Sequence, residues 1–162
     1  MIRRWELLHL PVRLGSRQRA WGRVEELELD WGQRQVTGVL ARAGLRLFLI
    51  PTGPEVRLHA RGVEVARPDL PQPVAQSWWR RQRAAGRMLR PLAVYDPEDH
   101  YLGRLTDIRI REDTGAVTDL LVSRGVLADL WQGLLVVPAR GVQERHLGPP
   151  GITVDPGGDT NG

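Results

Sequence analysis

Two stretches of this chain repeat one another at a constant spacing of 81 residues, and this constrains the fold more than any other feature. The aligned pairs are residues 22–29 with 103–110, 36–40 with 117–121, and Gly44 with Gly125. After a small insertion in the second copy, residues 49–51 align with 136–138 and residues 63–65 with 152–154. Self-similarity of this kind indicates one supersecondary unit that occurs twice.

Both copies have the residue pattern of β-strands. Residues 24–29 and 105–110 mix apolar and polar side chains in near-alternation, as half-buried strands do. Residues 45–50 and 134–137 are largely apolar runs, which favour buried strands. Short strands at regular spacing, broken by Gly and Pro turns, predict barrels, because a closed sheet has no exposed edge. We therefore expect an all-β chain with two small β-barrels in tandem.

The segment between the copies has a different composition. Three prolines mark residues 68–91 as a connector, and the sequence that follows them is rich in Trp and Arg. Ser77 is placed to cap a short helix there. The sequence predicts a first copy over residues 1–67, a second copy over 92–155, and a disordered tail over 156–162 that is rich in Gly and polar residues.

The repeated pattern resembles the PRC-barrel family. Its elements are Gly-x-hydrophobic-x-Asp/Glu-hydrophobic, a turn, a Val-rich strand, and a closing hydrophobic-Pro step. The second copy is the better match, since Glu26 stands where the family prefers the Asp found at Asp107, and Gly38 replaces the acidic Asp119.

That family includes the cytoplasmic part of the photosynthetic reaction-centre H subunit and the C-terminal domain of the ribosome maturation factor RimM. The resemblance implies a binding module with no shared catalytic residues. The chain lacks the transmembrane helix of the first relative and the N-terminal barrel of the second, so the resemblance implies neither specific function.

Several kinds of chemistry have no support in the residues. The chain has no cysteine, which excludes disulfides and thiolate metal sites. His9, His59, His100 and His146 share no metal-ligand spacing, and no serine lies in a nucleophile motif. Glu26 and Asp107 occupy equivalent positions. Because the acid recurs in both copies, a structural acid that fixes the turn or pairs with arginine is favoured over a catalytic carboxylate. We expect a protein without catalytic, metal or cofactor sites. The absence of long apolar runs and of cysteine favours the cytoplasm, and the family resemblance implies a bacterium or archaeon.

The connector is the sharpest functional candidate. Its candidate partner-binding residues are Trp78, Trp79, Arg80, Arg81, Arg83, Arg87 and Arg90. Arginine can bind phosphate and tryptophan can stack on bases, so an RNA- or ribosome-associated factor is one hypothesis. The favoured alternative is a structural strap, in which the tryptophans pack on a barrel while the arginines face water or pair with acids, of which residues 94–155 hold ten against six Arg. We expect a protein-protein interaction or scaffolding role, with an unknown protein partner and self-association left open.

Overall fold

A computed structural model describes residues 1–145 and 151–155, and over these the chain is mostly β, as predicted. The predicted tail, and with it His146, lies outside the described residues. The strands of the first half are β1 (Ile2–Arg3), β2 (Pro11–Leu14), β3 (Gly22–Asp30), β4 (Gln35–Ala43), β5 (Arg46–Pro51), β6 (Val56–His59), β7 (Gly62–Val65) and β8 (Gln72–Val74). Those of the second half are β9 (Ala93–Tyr95), β10 (Tyr101–Ile110), β11 (Val117–Ser123), β12 (Leu135–Pro138), β13 (Gln143–Glu144) and β14 (Gly151–Thr153). The helices are α1 (Arg4–Leu7), α2 (Gln76–Ala84) and α3 (Val126–Gln132).

The strands form two sheets of seven strands each. The first sheet has the order β6-β7-β2-β3-β4-β5-β8. The second has the order β13-β14-β9-β10-β11-β12, and β1 pairs with β10 in addition. Strand pairing among the described residues leaves open edges in both sheets, so the closed barrels that we expected are not found.

The two sheets agree in detail. Leaving out β1 and β8, their strand orders correspond one to one, and in each the only parallel neighbours described are the first and last strands of the half, β2 with β7 and β9 with β14. The β3–β4 ladder shifts register between Val24 and Glu26, and the β10–β11 ladder shifts between Leu105 and Asp107. These positions are 81 residues apart, so the β-bulges recur with the sequence repeat.

Each half contributes a segment to the sheet of the other. β1 pairs with β10 of the second sheet, Ile2 lying opposite Ile110. In return, Met88 forms an isolated bridge with Glu28 of β3. The exchange is reciprocal, because β1 comes before β2 in the first half and Met88 comes before β9 in the second.

The turns that follow β3 and β10 face each other across an approximate two-fold axis. The N–H of Val36 donates to the carbonyl of Gly115 at 2.9 Å, and the N–H of Val117 donates to the carbonyl of Arg34 at 2.8 Å. Val36 corresponds to Val117, and Arg34 to Gly115, at the same spacing of 81 residues. The two hydrogen bonds are therefore symmetry equivalents.

Buried residues of both halves form a single hydrophobic cluster, which includes Val24, Leu27 and Leu29 of β3 and their equivalents Leu105, Ile108 and Ile110 of β10. A second, small cluster of Leu40, Leu47 and Met88 lies apart from it. Among the described residues, no helix combines the length and apolar character needed to cross a membrane.

Candidate functional site

The connector lies against the first sheet. β8 pairs antiparallel with β5 at the edge of that sheet, and α2 follows directly. The side chains of Trp78 and Trp79 are half-buried and pack on the small cluster of Leu40, Leu47 and Met88. The predicted short helix is present, but it begins at Gln76 with Ala75 at the N-cap, and no side chain caps it, so the capping role predicted for Ser77 is wrong.

Four of the five connector arginines are exposed to solvent. Arg80, Arg81, Arg83 and Arg87 are exposed, and Arg90 is half-buried. In the part of the chain that the structure describes, no carboxylate lies within ion-pair distance of any of them. Of the two expected arrangements, the four exposed arginines therefore face water, and pairing with acids of residues 94–155 is not found there.

Acidic side chains nevertheless share the space around Arg87. A solvent-open depression of about 700 Å³ has Arg87 in its wall together with Glu28, Asp30 and Glu144. Three acidic residues against one arginine give the lining a net negative charge, which is unfavourable for a phosphate group.

Four of the exposed large apolar side chains of the described residues lie together on α3. Val126, Leu127, Leu130 and Trp131 have 78%, 75%, 76% and 86% of their surface exposed. The one charged residue of this helix, Asp129, binds the segment that precedes the helix. Its carboxylate accepts a hydrogen bond from the Ser123 hydroxyl and a second, of 3.1 Å, from the backbone N–H of Arg124. The outward face of α3, which we call the apolar patch, is therefore formed by these four uncharged side chains.

The first half has no counterpart of α3. There β4 and β5 are joined by the tight turn at Gly44 and Leu45, because Ala43 pairs with Arg46. In the second half the insertion places α3 at the same point, between β11 and β12. The edges also differ, since β5 is covered by β8, whereas no described strand covers the outer side of β12, where Val136 is 42% exposed.

The two equivalent acids are held in ion pairs, in agreement with their interpretation as structural acids. Asp107 is 3% exposed, with Oδ2 3.2 Å from Nε of Arg3. Glu26 accepts hydrogen bonds from Nε of Arg4 at 2.7 Å and from Nη2 of the same residue. Two neighbouring arginines of the N-terminal segment thus neutralise one acid in each half.

The loop before β10 brings Asp96, Glu98 and His100 together, with their potential ligand atoms within 4.8 Å of one another. Burial acts to raise the pKa of Asp96, but hydrogen bonds from the backbone N–H and the ring of His100 outweigh it and hold that pKa below its usual value. Because the Asp96 carboxylate already serves as the acceptor that closes this loop, and Glu98 and His100 are exposed, we assign no metal site here.

Residues 84–161 of the chain match the PRC-barrel domain family. The match covers the second half, including α3, and the end of the connector. No curated protein is detectably similar to the chain.

Sequence reasoning singled out the connector and passed over the apolar patch. The insertion in the second copy could have revealed it. The spacing of the repeat increases at residues 126–131, where the second copy has four large apolar side chains and the first copy has only a turn. An insertion into a hairpin lies outside the repeated core, so apolar residues in it are candidates for a binding surface.

Proposed function

We propose that this chain is a non-catalytic binding protein that docks protein partners through the apolar patch of α3. The observation that carries the proposal is the exposure of Val126, Leu127, Leu130 and Trp131, each by three quarters or more. We propose that it acts in the cytoplasm of a prokaryote. The chain has no cysteine, and proteins of the reducing cytoplasm rarely rely on disulfides.

The scaffold of this protein, in our proposal, is a pair of PRC-type barrel modules in tandem. The shared strand order, the bulges at equivalent positions and the symmetric turn contacts support a duplicated module. The family match supports the PRC type for the second module. The first module carries the connector on its edge strand, and the second carries α3 at the equivalent place.

The energetics favour a protein partner for the patch. Large apolar side chains gain about 1.5–3 kcal/mol each when they leave water. Tryptophan is enriched among the residues that dominate binding at protein interfaces, and charged residues are depleted at interface centres. Trp131, surrounded by three aliphatic side chains and no charge, has this composition.

The alternative function is RNA binding by the connector, and the four exposed arginines that pair with no described carboxylate favour it. Two observations weigh against it. Trp78 and Trp79 are half-buried against the first sheet, which reduces the ring surface left for base stacking. Arg87 shares its depression with three acids.

The test is photocrosslinking in the native cells. A photoreactive amino acid is placed at position 130 on α3 and, as the matched control, at position 45, where Leu45 is 98% exposed in the corresponding turn of the first half. We expect protein adducts from position 130 and none from position 45, because only the first position lies in the patch.

A second variant makes the result specific. In the chain that carries the probe at position 130, Leu127→Asp with Trp131→Asp should abolish the protein adducts while the thermal melting temperature stays the same. Absence of any protein adduct, or RNA binding that is steeply salt-dependent and lost on changing Arg80, Arg81 and Arg83 to Gln, would refute the proposal.

A further inference from the structure

We propose that the apolar patch of α3 is the self-contact of a two-fold symmetric dimer, so that its occupant is a second copy of this chain. The inference rests on the proposed function, because it names the partner of the same surface. It follows from three properties of the patch: its lack of charge, its area, and the charge of the half that carries it.

The patch is complementary to itself. In a symmetric dimer the same surface faces its own copy, so any charge near the axis meets a like charge. None of the four residues of the patch is charged, and the one charged residue of α3, Asp129, is held by Ser123 and by the backbone of Arg124. The nearest charge that the hydrogen bonds show is the exposed Arg124 guanidinium, which donates to the carbonyl of Gly133 at the end of α3. An uncharged apolar surface meets its copy without electrostatic cost.

The area is sufficient for a dimer at the lower end of the stable range. An aromatic side chain buries about 150–250 Å² and an aliphatic one somewhat less, so the four residues offer on the order of 500 Å² per copy. Two copies would then bury about 1,000 Å², which is near the smallest size of specific interfaces.

The charge of the second half disfavours a membrane as the occupant. Residues 94–155 contain ten acids and six arginines, so this half is net negative and is repelled by anionic lipid. Helices that lie on membranes carry basic residues on their polar face, and α3 carries none.

The experiment is sedimentation velocity on the purified full chain. We expect a concentration-dependent monomer–dimer equilibrium between about 1 and 200 µM, the range suited to an interface near the lower size limit. Leu127→Glu with Trp131→Glu should raise the dimer dissociation constant by at least about 100-fold, since it places charges at the centre of the contact. The control Leu45→Glu, at the exposed turn of the first half, should dimerise like the wild type.

A second measurement locates the contact. Because the chain has no cysteine, single variants Leu127→Cys, Leu130→Cys and Trp131→Cys report on α3 alone. We expect at least one of them to form a disulfide-linked dimer under mild oxidation much faster than Leu45→Cys does. Thermal unfolding of every variant checks that the fold is kept.

The inference is overturned if the wild type stays monomeric over this range, or if the dimer survives the double substitution. A monomeric chain that still crosslinks to another protein from position 130 in cells would refute the self-contact and leave the proposed function standing. A monomer that crosslinks to no protein would refute both. Co-sedimentation of the monomer with neutral or anionic lipid vesicles, lost in the double variant, would assign the patch to a membrane instead.

Discussion

Met88 packs the connector against the first sheet, and the free energy of unfolding lost on its replacement measures how much this packing stabilises the protein. It is 1% exposed, lies in a cluster with Leu40 and Leu47, and is covered by Trp78 and Trp79. Met88→Ala leaves a cavity between a sheet and two large rings, and such losses cost about 2–5 kcal/mol. In a chain of this length each kcal/mol lowers the melting temperature by about 2–4 °C, so a cost of about 3 kcal/mol lowers it by roughly 6–12 °C.

Urea unfolding followed by circular dichroism, together with thermal melting, gives this free energy. The matched control is Arg87→Gln, which changes the neighbouring exposed residue and leaves its backbone carbonyl in place to accept from Leu29. We expect the control to stay within about 0.5 kcal/mol of the wild type. A cost below about 1 kcal/mol for Met88→Ala would show that burial does not hold the connector, and would refute the reasoning.

Two further predictions follow from other parts of the fold. Gly103 has φ +147°, and a Cβ there would lie 2.3 Å from the carbonyl oxygen of Ser123, so Gly103→Ala should cost at least about 2 kcal/mol in urea unfolding, whereas Gly53→Ala, which meets open space, should be nearly neutral. NMR titration should place the pKa of Asp96 below its usual value, and His100→Ala should move it part of the way back, because the ring contact is lost and the backbone N–H remains; an unchanged pKa would contradict the role given to the ring.

Apolar periodicity was enough to predict most of the strands. Residues 24–29 and 105–110 become strands because alternate side chains enter one shared core, and a register error would turn Val24 or Leu105 towards water. The recurrence of the bulges could not be read from the sequence, since a bulge is a property of two paired strands. The exchange of segments was equally hidden, because Ile2–Arg3 is too short to show any period.

The candidate site was less predictable, for two physical reasons. Exposure of residues 126–131 could not be predicted, because apolar content does not tell whether a neighbouring element covers a helix. The sequence could not tell whether the connector arginines pair with acids of the second half, because net charge says nothing about the distance between groups. The tryptophans were better constrained, since large rings beside a β module usually pack on it, as Trp78 and Trp79 do.

The exchanged segment β1 sets an order of events during synthesis. Its Arg3 meets Asp107, a residue 104 positions further along the chain, and its Ile2 pairs with Ile110. While the first half emerges from the ribosome, β1 has no partner strand, and it can dock only after β10 has been translated. Strand β1 can thus reach its native place only after the other strands of the first half have been made.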